Sequence, residues 1–381
     1  MTNPSPEISF GLEGINIANT NLCRIDGVAG ELIYAGYNIY DLAENATFEE
    51  VAYLLWNLNL PDVKQLDQLK TVFQEERSLS DLNRHLIREL VNGNARPMRA
   101  LEICVIALGA LDPNSSNFSP QNLQVIATRL AARMPTVIAA FHRARQGLDY
   151  VESRDDLPHA ANFLWMLLGK EPSALEARVF DVAMTLHAEH EMNASTFSAI
   201  VTASTQSDMY SAIASAIGTL KGPLHGGANT AVFELLSKIG DETQIKPYVD
   251  ALLDRKERVM GIGHRIYRTT DPRAVILEGL GEQIAEQSDE RFYFDLSRKL
   301  RDYLAERLAG RPLYPNVDFF SASVYNMLGI PSDLYTAIFA MARSVGWTAH
   351  LIEQYANNRL VRPNAVYVGE ESKKFTPLDQ R

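Results

Sequence analysis

Two glycine-rich turns each carry a single histidine: Gly222-Pro223-Leu224-His225-Gly226-Gly227-Ala228-Asn229 and, further on, Gly261-Ile262-Gly263-His264. Glycine accepts positive φ and lets the backbone come close to a ligand. A helix that starts just after such a bend aims unpaired N–H groups at whatever binds there. Its positive end also disfavours a protonated imidazole, so the histidine stays neutral and is able to donate a hydrogen bond to a developing oxyanion. The plainer reading of either turn alone is a helix start with an exposed histidine. A carboxylate completes the set. Asp318, in Pro315-Asn316-Val317-Asp318-Phe319-Phe320-Ser321, precedes a helical stretch. It suits an N-cap; in a cleft of apolar rings and neutral histidines it equally suits a general base.

Cations gather around the same segments. Arg265, Arg268 and Arg273 crowd the second turn. Asp271 reads as an N-cap and Pro272 as the first helical residue, which puts Arg273 in the first turn. There it opposes the helix dipole by roughly 0.3–1 kcal/mol, so an anion held between its guanidinium and the free N–H groups explains it better than helix stability. Arg343 is the lone cation in the nearly all-apolar helix expected over 332–356. A buried unpaired charge costs several kcal/mol, so it needs a carboxylate, from the protein or from a ligand. Arg362 follows that helix and is unremarkable alone. His187 and His190 fall three residues apart on the helix expected over 174–191 and are neighbours. They match no zinc motif and lack further ligands, so no metal is expected. They read as a structural pair or as a polar patch facing a cleft, followed by Asn193, Ser195 and Thr196. Gly261-Ile262-Gly263 lacks the third glycine and preceding strand of a dinucleotide fingerprint, and no Walker-type loop exists.

The elements that position these residues are nearly all helical. Leu22-Cys23-Arg24-Ile25 and Glu31-Leu32-Ile33-Tyr34 flank the turn dipeptide Asp26-Gly27, so residues 20–42 read as a hairpin or two. From Thr47, whose spacing to Glu50 is a capping box, apolar residues recur at helical spacing to 356. Met134-Pro135 is expected to kink or split one long segment, and 272–309 reads as one continuous stretch. The fold expected is all-α with a small N-terminal β element. Residues 281–311 are the most charged part and read as a solvated lobe, whereas 332–356 belongs in a core. The polar lobe is then an insertion into one larger helical domain.

Composition excludes several classes. The formal charge of −11 argues against nucleic-acid and anionic-membrane binding. Cys23 and Cys104 form no disulfide framework, and no apolar run is long enough to span a membrane. Met1 to Glu7 resembles neither a secretory signal nor a transit peptide. A reduced, cytoplasmic protein is expected.

Taken together, these residues resemble the citrate synthase family over almost the whole chain. Ile25 to Tyr34 is similar to its N-terminal signature. Leu186-His187-Ala188-Glu189-His190-Glu191-Met192-Asn193-Ala194-Ser195-Thr196, the two histidine turns extended through Arg273, and Pro315-Asn316-Val317-Asp318 resemble its active-site blocks in order. The resemblance implies a mostly helical, two-domain homodimer, with residues 1–226 and 330–381 as the large domain. Residues 227–329 would form the small domain that closes over the substrates. It implies a tricarboxylic acid cycle transferase that condenses acetyl-CoA with oxaloacetate to citrate and CoA, the thioester being substrate and no cofactor being needed. Asp318 would take the methyl proton, His225 would bind the enolate oxygen, and His264 would polarise the oxaloacetate carbonyl. His187, His190, Arg273, Arg343 and Arg362 would hold oxaloacetate, with Arg362 reaching in from the other subunit. Met260, Gly261, Ile262, Gly263 and Arg268 would face CoA.

The chain departs from the family pattern at Ala35, Arg96 and Arg99, none of them catalytic positions. It lacks the N-terminal extension of the hexameric, NADH-inhibited members, so that regulation is not expected. Propionyl-CoA, as in 2-methylcitrate synthase, is the rival acyl donor, and His187 favours acetyl-CoA. A helical binding or assembly protein without activity is the reading from another class.

Overall fold

Asp26 organises the first element: its carboxylate accepts the N–H groups of Val28 and Ala29, and its carbonyl accepts that of Gly30. This turn joins β1 (Cys23–Asp26) to β2 (Glu31–Tyr34) in an antiparallel pair registered Cys23 to Tyr34 and Asp26 to Glu31. A short β3 (Tyr37–Asn38) pairs antiparallel with β2. The computed structural model describes residues 8–370 and 372–381, so the leader reading of Met1 to Glu7 lies outside the described residues.

All further regular structure among the described residues is helical. The hairpin expectation ran too far, because Asn38 caps Tyr40 and opens α1 (Ile39–Asn45). Then come α2 (Phe48–Asn57), with the expected Thr47–Glu50 capping box, α3 (Val63–Glu76), α4 (Asp81–Asn92) and α5 (Pro97–Ala110). The longest helix is α6 (Pro120–Arg145), followed by α7 (His159–Leu168), α8 (Ala174–Ala188), α9 (Ala194–Ser204) and α10 (Met209–Leu220). After the first histidine turn stand α11 (Ala228–Ile239) and α12 (Ile245–Asp254). The chain continues with α13 (Pro272–Ala285), α14 (Phe292–Arg307), α15 (Val317–Met327) and α16 (Tyr335–Ala356).

Four sequence expectations change. Helix α6 runs unbroken through Pro135, which is buried along with Met134, Thr136 and Val137. Packing by α3, α4, α5, α7 and α16 around α6 offsets the lost hydrogen bond of one interior proline. The stretch 272–309 is two helices with a break after Ala285. Helix α8 ends at Ala188, so His190 lies beyond it rather than on the same helical face as His187. The charged stretch is not a detached lobe either. Helix α14 buries Phe294, Leu296, Leu300 and Leu304 while pairing outward through Arg298–Glu282, Arg301–Glu278 and Arg307–Asp250. Solvent-screened pairs of this kind contribute about 1 kcal/mol or less each, so the apolar face is what seats the helix.

Helix α16 is the interior rod. Every residue from Tyr335 to Leu351 is buried, and α2, α5, α6, α8, α9 and α10 pack around it. Helix α15 in turn packs with α11, α13 and α14. No described helix is long and apolar enough to cross a membrane.

Candidate active site

Asn193 builds one wall. As the N-cap of α9 it accepts the N–H groups of Ser195 and Thr196, each at 3.1 Å, and the Ser195 hydroxyl at 2.7 Å. The Ser195 N–H also donates to His225 Nε2 at 3.3 Å, and Ser195 Oγ lies 2.8 Å from the same nitrogen. A backbone N–H only donates, so Nε2 is an acceptor and the proton of the neutral ring sits on Nδ1. Trp347 Nε1, from α16, donates to Ser195 Oγ at 3.1 Å and holds the relay in place. Gly226 beside it has no substitute, since a Cβ there would meet Leu220 O at 2.6 Å.

Asn316 builds the facing wall. The second turn has positive φ at Gly261 (78°) and Gly263 (88°), and a Cβ on Gly261 would meet Val232 Cγ2 at 2.6 Å. Gly263 N–H donates to Tyr314 O at 2.8 Å, Asn316 N–H to Gly261 O at 3.0 Å, and Asn316 Nδ2 to Gly263 O at 2.9 Å. The same asparagine caps α15, its Oδ1 accepting the Asp318 N–H at 3.0 Å. One side chain therefore sets both the His264 turn and the Asp318 helix. Asp318 is not the cap that its position allowed; its carboxylate accepts no hydrogen bond among the described residues. No helix follows His264 directly, because α13 starts only at Pro272. Instead the N–H groups of Ile266 and Tyr267 donate to His264 Nδ1 at 3.1 and 3.2 Å, which leaves the ring proton on Nε2.

The histidines are neutral, for a reason other than a helix dipole. Burial, then the nearby Arg343 charge, pushes His225 down to about 4; burial and Arg273 do the same to His264. Burial takes His187 down to about 3 and lowers His190 well below its usual value, with Arg273 and Arg343 adding to both. Asp318 goes the other way: burial raises it to about 6, against the pull of Arg273 and Arg343. Arg343 acts on His225, Arg273 acts on His264, and both act on His187, His190 and Asp318. His190 stands 5.2 Å from His264, and Phe339 stands 5.1 Å from His187 and 6.4 Å from His225.

Each cation has a distinct setting. Arg273 is buried and forms a two-pronged pair with Asp271, Nε to Oδ1 at 3.0 Å and Nη2 to Oδ2 at 2.7 Å. Its own N-cap thus offsets the dipole penalty, which the sequence argument had assigned to an anion alone. Arg343, also buried, forms no ion pair among the described residues. Its Nε donates to His187 O at 2.7 Å and its guanidinium lies 4.8 Å over the Phe339 ring. Its two Nη groups have no acceptor among the described residues, so the outer edge is open to a carboxylate. His187 donates Nδ1–H to Ala183 O at 2.7 Å; its Nε2, His190 Nε2 and the Tyr267 hydroxyl are buried without a protein partner. Buried polar groups of this kind suit a polar ligand.

The remaining candidates lie further out. Met260, Ile262 and Gly263 are half-buried, Gly261 is buried, and Arg268 is exposed. A cavity of about 530 Å³ opens beside Ile262, Tyr314 and Pro315 and runs between α13 and α14. Arg362 lies in the exposed tail, where it donates to Asn364, and is not brought to this chain's own cleft. No group of three or more His, Cys, Asp or Glu residues among those described is placed to hold a metal. Sequence reasoning missed Trp347 as a partner of Ser195, since a tryptophan in an apolar helix reads only as core. It also missed Tyr267, whose ring lies 4.8 Å from His264 and 5.7 Å from His190.

Comparison with known proteins gives one answer. The family profile described as citrate synthase, C-terminal domain, matches residues 11–364. Citrate synthase of Haloferax volcanii is 47% identical over 99% of this chain and 100% of its own length. A 2-methylcitrate synthase of Shewanella oneidensis is 43% identical over 97% of each chain. A crystal structure of the ternary complex of carboxymethyl coenzyme A and oxaloacetate with citrate synthase from Thermoplasma acidophilum is also similar. It superposes with a TM-score of 0.94 at 34% identity and covers 99% of this chain and 100% of that one. With a profile match over residues 11–364 and relatives this similar over nearly the whole length, the chain belongs to the citrate synthase family.

Proposed function

We propose that the chain condenses acetyl-CoA with oxaloacetate to citryl-CoA and hydrolyses the thioester to citrate and CoA, with these residues in these roles. Asp318 removes a proton from the acetyl methyl group. The forming enolate oxygen takes a hydrogen bond from His225 Nδ1–H, the proton that the Ser195 contact leaves on that nitrogen. His264 Nε2–H polarises the oxaloacetate carbonyl and gives its proton to the new alkoxide as the carbon–carbon bond forms. Preorganised donors matter here because a thioester methyl is a very weak carbon acid, and its enolate needs stabilisation that water does not supply.

Arg343, Arg273, His190 and His187 orient the dicarboxylate, and Arg362 reaches the cleft of a second copy in a homodimer. The turn from Met260 to Gly263, with Arg268, faces CoA. Residues 227–329 act as a small domain that closes on residues 1–226 and 330–381 and excludes water before hydrolysis. The activity belongs in the cytoplasm, where Cys23 and Cys104 stay reduced.

The single observation that carries this reading is the unpartnered Asp318 carboxylate, raised to about 6, in the field of Arg273, which also acts on His264, and Arg343, which also acts on His225. The thiol-release assay with acetyl-CoA and oxaloacetate, run with Asp318→Asn beside the unmodified chain, tests it. Release of CoA by the unmodified chain alone is expected. No release by either would leave a helical binding protein as the better reading. The family also contains 2-methylcitrate synthases, so propionyl-CoA is the donor to compare; a higher kcat/KM for it would reassign the substrate. One methylene is worth only about 1–3 kcal/mol of discrimination.

A further inference from the structure

Arg343, Gly346 and His350 stand at i, i+3 and i+7 on α16 and share one face of that helix. Glu189, the residue that ends α8, lays its carboxylate across this face. A Cβ on Gly346 would meet Glu189 Oε2 and Ala188 O, each at 2.3 Å, so the missing side chain makes the crossing possible. Glu189 Oε1 lies 2.9 Å from His350 Nε2, with both side chains almost fully buried. Oε2 is buried without a partner among the described residues. The Glu189 backbone is clamped from β2: the Tyr34 hydroxyl donates to its carbonyl at 2.6 Å and accepts its N–H at 3.3 Å. One buried carboxylate therefore lies on the helix face that carries both Arg343 and His350.

That arrangement sets a competition. The Nη groups of Arg343 have no protein acceptor among the described residues, and the Glu189 carboxylate acts on the guanidinium from the same helix face. In a low-dielectric interior a carboxylate free to turn toward the guanidinium would satisfy it internally. We propose that His350 is a positioning residue for dicarboxylate binding: by engaging Glu189 it keeps that carboxylate from closing on Arg343. The outer edge of the guanidinium then stays available to a substrate carboxylate.

The surrounding charges agree. Burial alone would lower the His350 pKa, but the charge and hydrogen bond of Glu189 reverse this and leave it raised. Besides Arg343 and Glu189, Glu353 faces His350 Nδ1 at 4.0 Å. Glu353 is already engaged by the Thr20 hydroxyl and the Asn21 N–H, and Glu191 acts from beyond α8. Glu189 is the only one of these carboxylates that also bears on Arg343.

This inference rests on the reading of the cleft as an oxaloacetate site. The test is oxaloacetate binding by calorimetry together with steady-state kinetics on the unmodified chain, His350→Gln and Glu189→Gln. His350→Gln keeps a donor near Glu189 but removes the charge that holds it. Oxaloacetate Kd and KM are expected to rise by roughly fivefold or more, the lower edge of ordinary coupling between sites, with kcat and acetyl-CoA KM little changed. Glu189→Gln removes the competing carboxylate, and the same two constants are expected to fall. A merely structural pair would weaken both variants in the same direction and move Tm and all kinetic constants together; that result, or no shift in either variant, overturns the proposal. Oxaloacetate binding without CoA release would defeat the enzymatic reading while the Kd values still decide this one. No oxaloacetate binding by the unmodified chain overturns both.

Discussion

Replacing Asp318 with asparagine is expected to remove the activity and strengthen the fold. In the folded chain burial holds this carboxyl at about 6, against an ordinary value of 3.8. That difference corresponds to about 3 kcal/mol of penalty for carrying the charge in the fold at neutral pH. The side chain is partly open to the cleft, so solvent screens some of it and about 2 kcal/mol is the working figure. The sign follows from linkage. A folded-state pKa above the unfolded one means that the penalty is absent below about 4, grows from there to about 6, and is complete above. Asp318→Asn is isosteric and never carries the charge. At pH 8 it is expected to melt roughly 2–3 °C above the unmodified chain, and the two melting curves should converge as pH falls toward 4. Meanwhile thiol release should drop by about 10²–10⁴-fold, the usual worth of a positioned general base. Scanning fluorimetry without substrates and a thiol-release assay read the two halves separately. An Asp318→Asn chain that melts lower at pH 8, or keeps a tenth of the activity, would refute the argument that this carboxylate is held strained for catalysis.

Three further outcomes are expected. The kcat/KM for acetyl-CoA should fall about tenfold per pH unit below about 6 and stay flat above it, because the base must be ionised while His225 and His264, near 4, remain neutral; a limb centred near 8 would contradict this. Gly261→Ala should cost about 1–3 kcal/mol in chemical denaturation, since its φ of 78° is strained for alanine and its Cβ would lie 2.6 Å from Val232 Cγ2. Trp347→Phe removes the N–H that holds Ser195 Oγ, and the freed hydroxyl should lower kcat by roughly threefold to tenfold through His225 while leaving oxaloacetate KM near its original value; a change confined to KM would mean that the relay does not act on His225.

Much of this protein is local and therefore readable along the chain. Helical spacing, the Thr47–Glu50 box, Asp271-Pro272 at the start of α13 and the Asp26-Gly27 turn depend on neighbours a few residues away, and each forms where the pattern puts it. The two glycine turns, Asp318 and the arginine in the apolar helix were legible as candidates for the same reason: an unusual residue in an otherwise consistent stretch stands out. Local reasoning failed where the decisive partner lay elsewhere. Pro135 did not break α6, because the helices packed round it outweigh one hydrogen bond. Asp318 read as a candidate N-cap, but Asn316 holds that position. The histidines were expected neutral because of helix dipoles, but burial and two arginines from other segments do it instead. Ring tautomers, the pin between the His264 turn and α15, and the Glu189–His350 pair join residues that meet only after folding. Side-chain types and their local order thus belong to the sequence. Charge states and proton positions belong to the tertiary structure, since desolvation and hydrogen bonds to remote backbone exist only once the helices have packed.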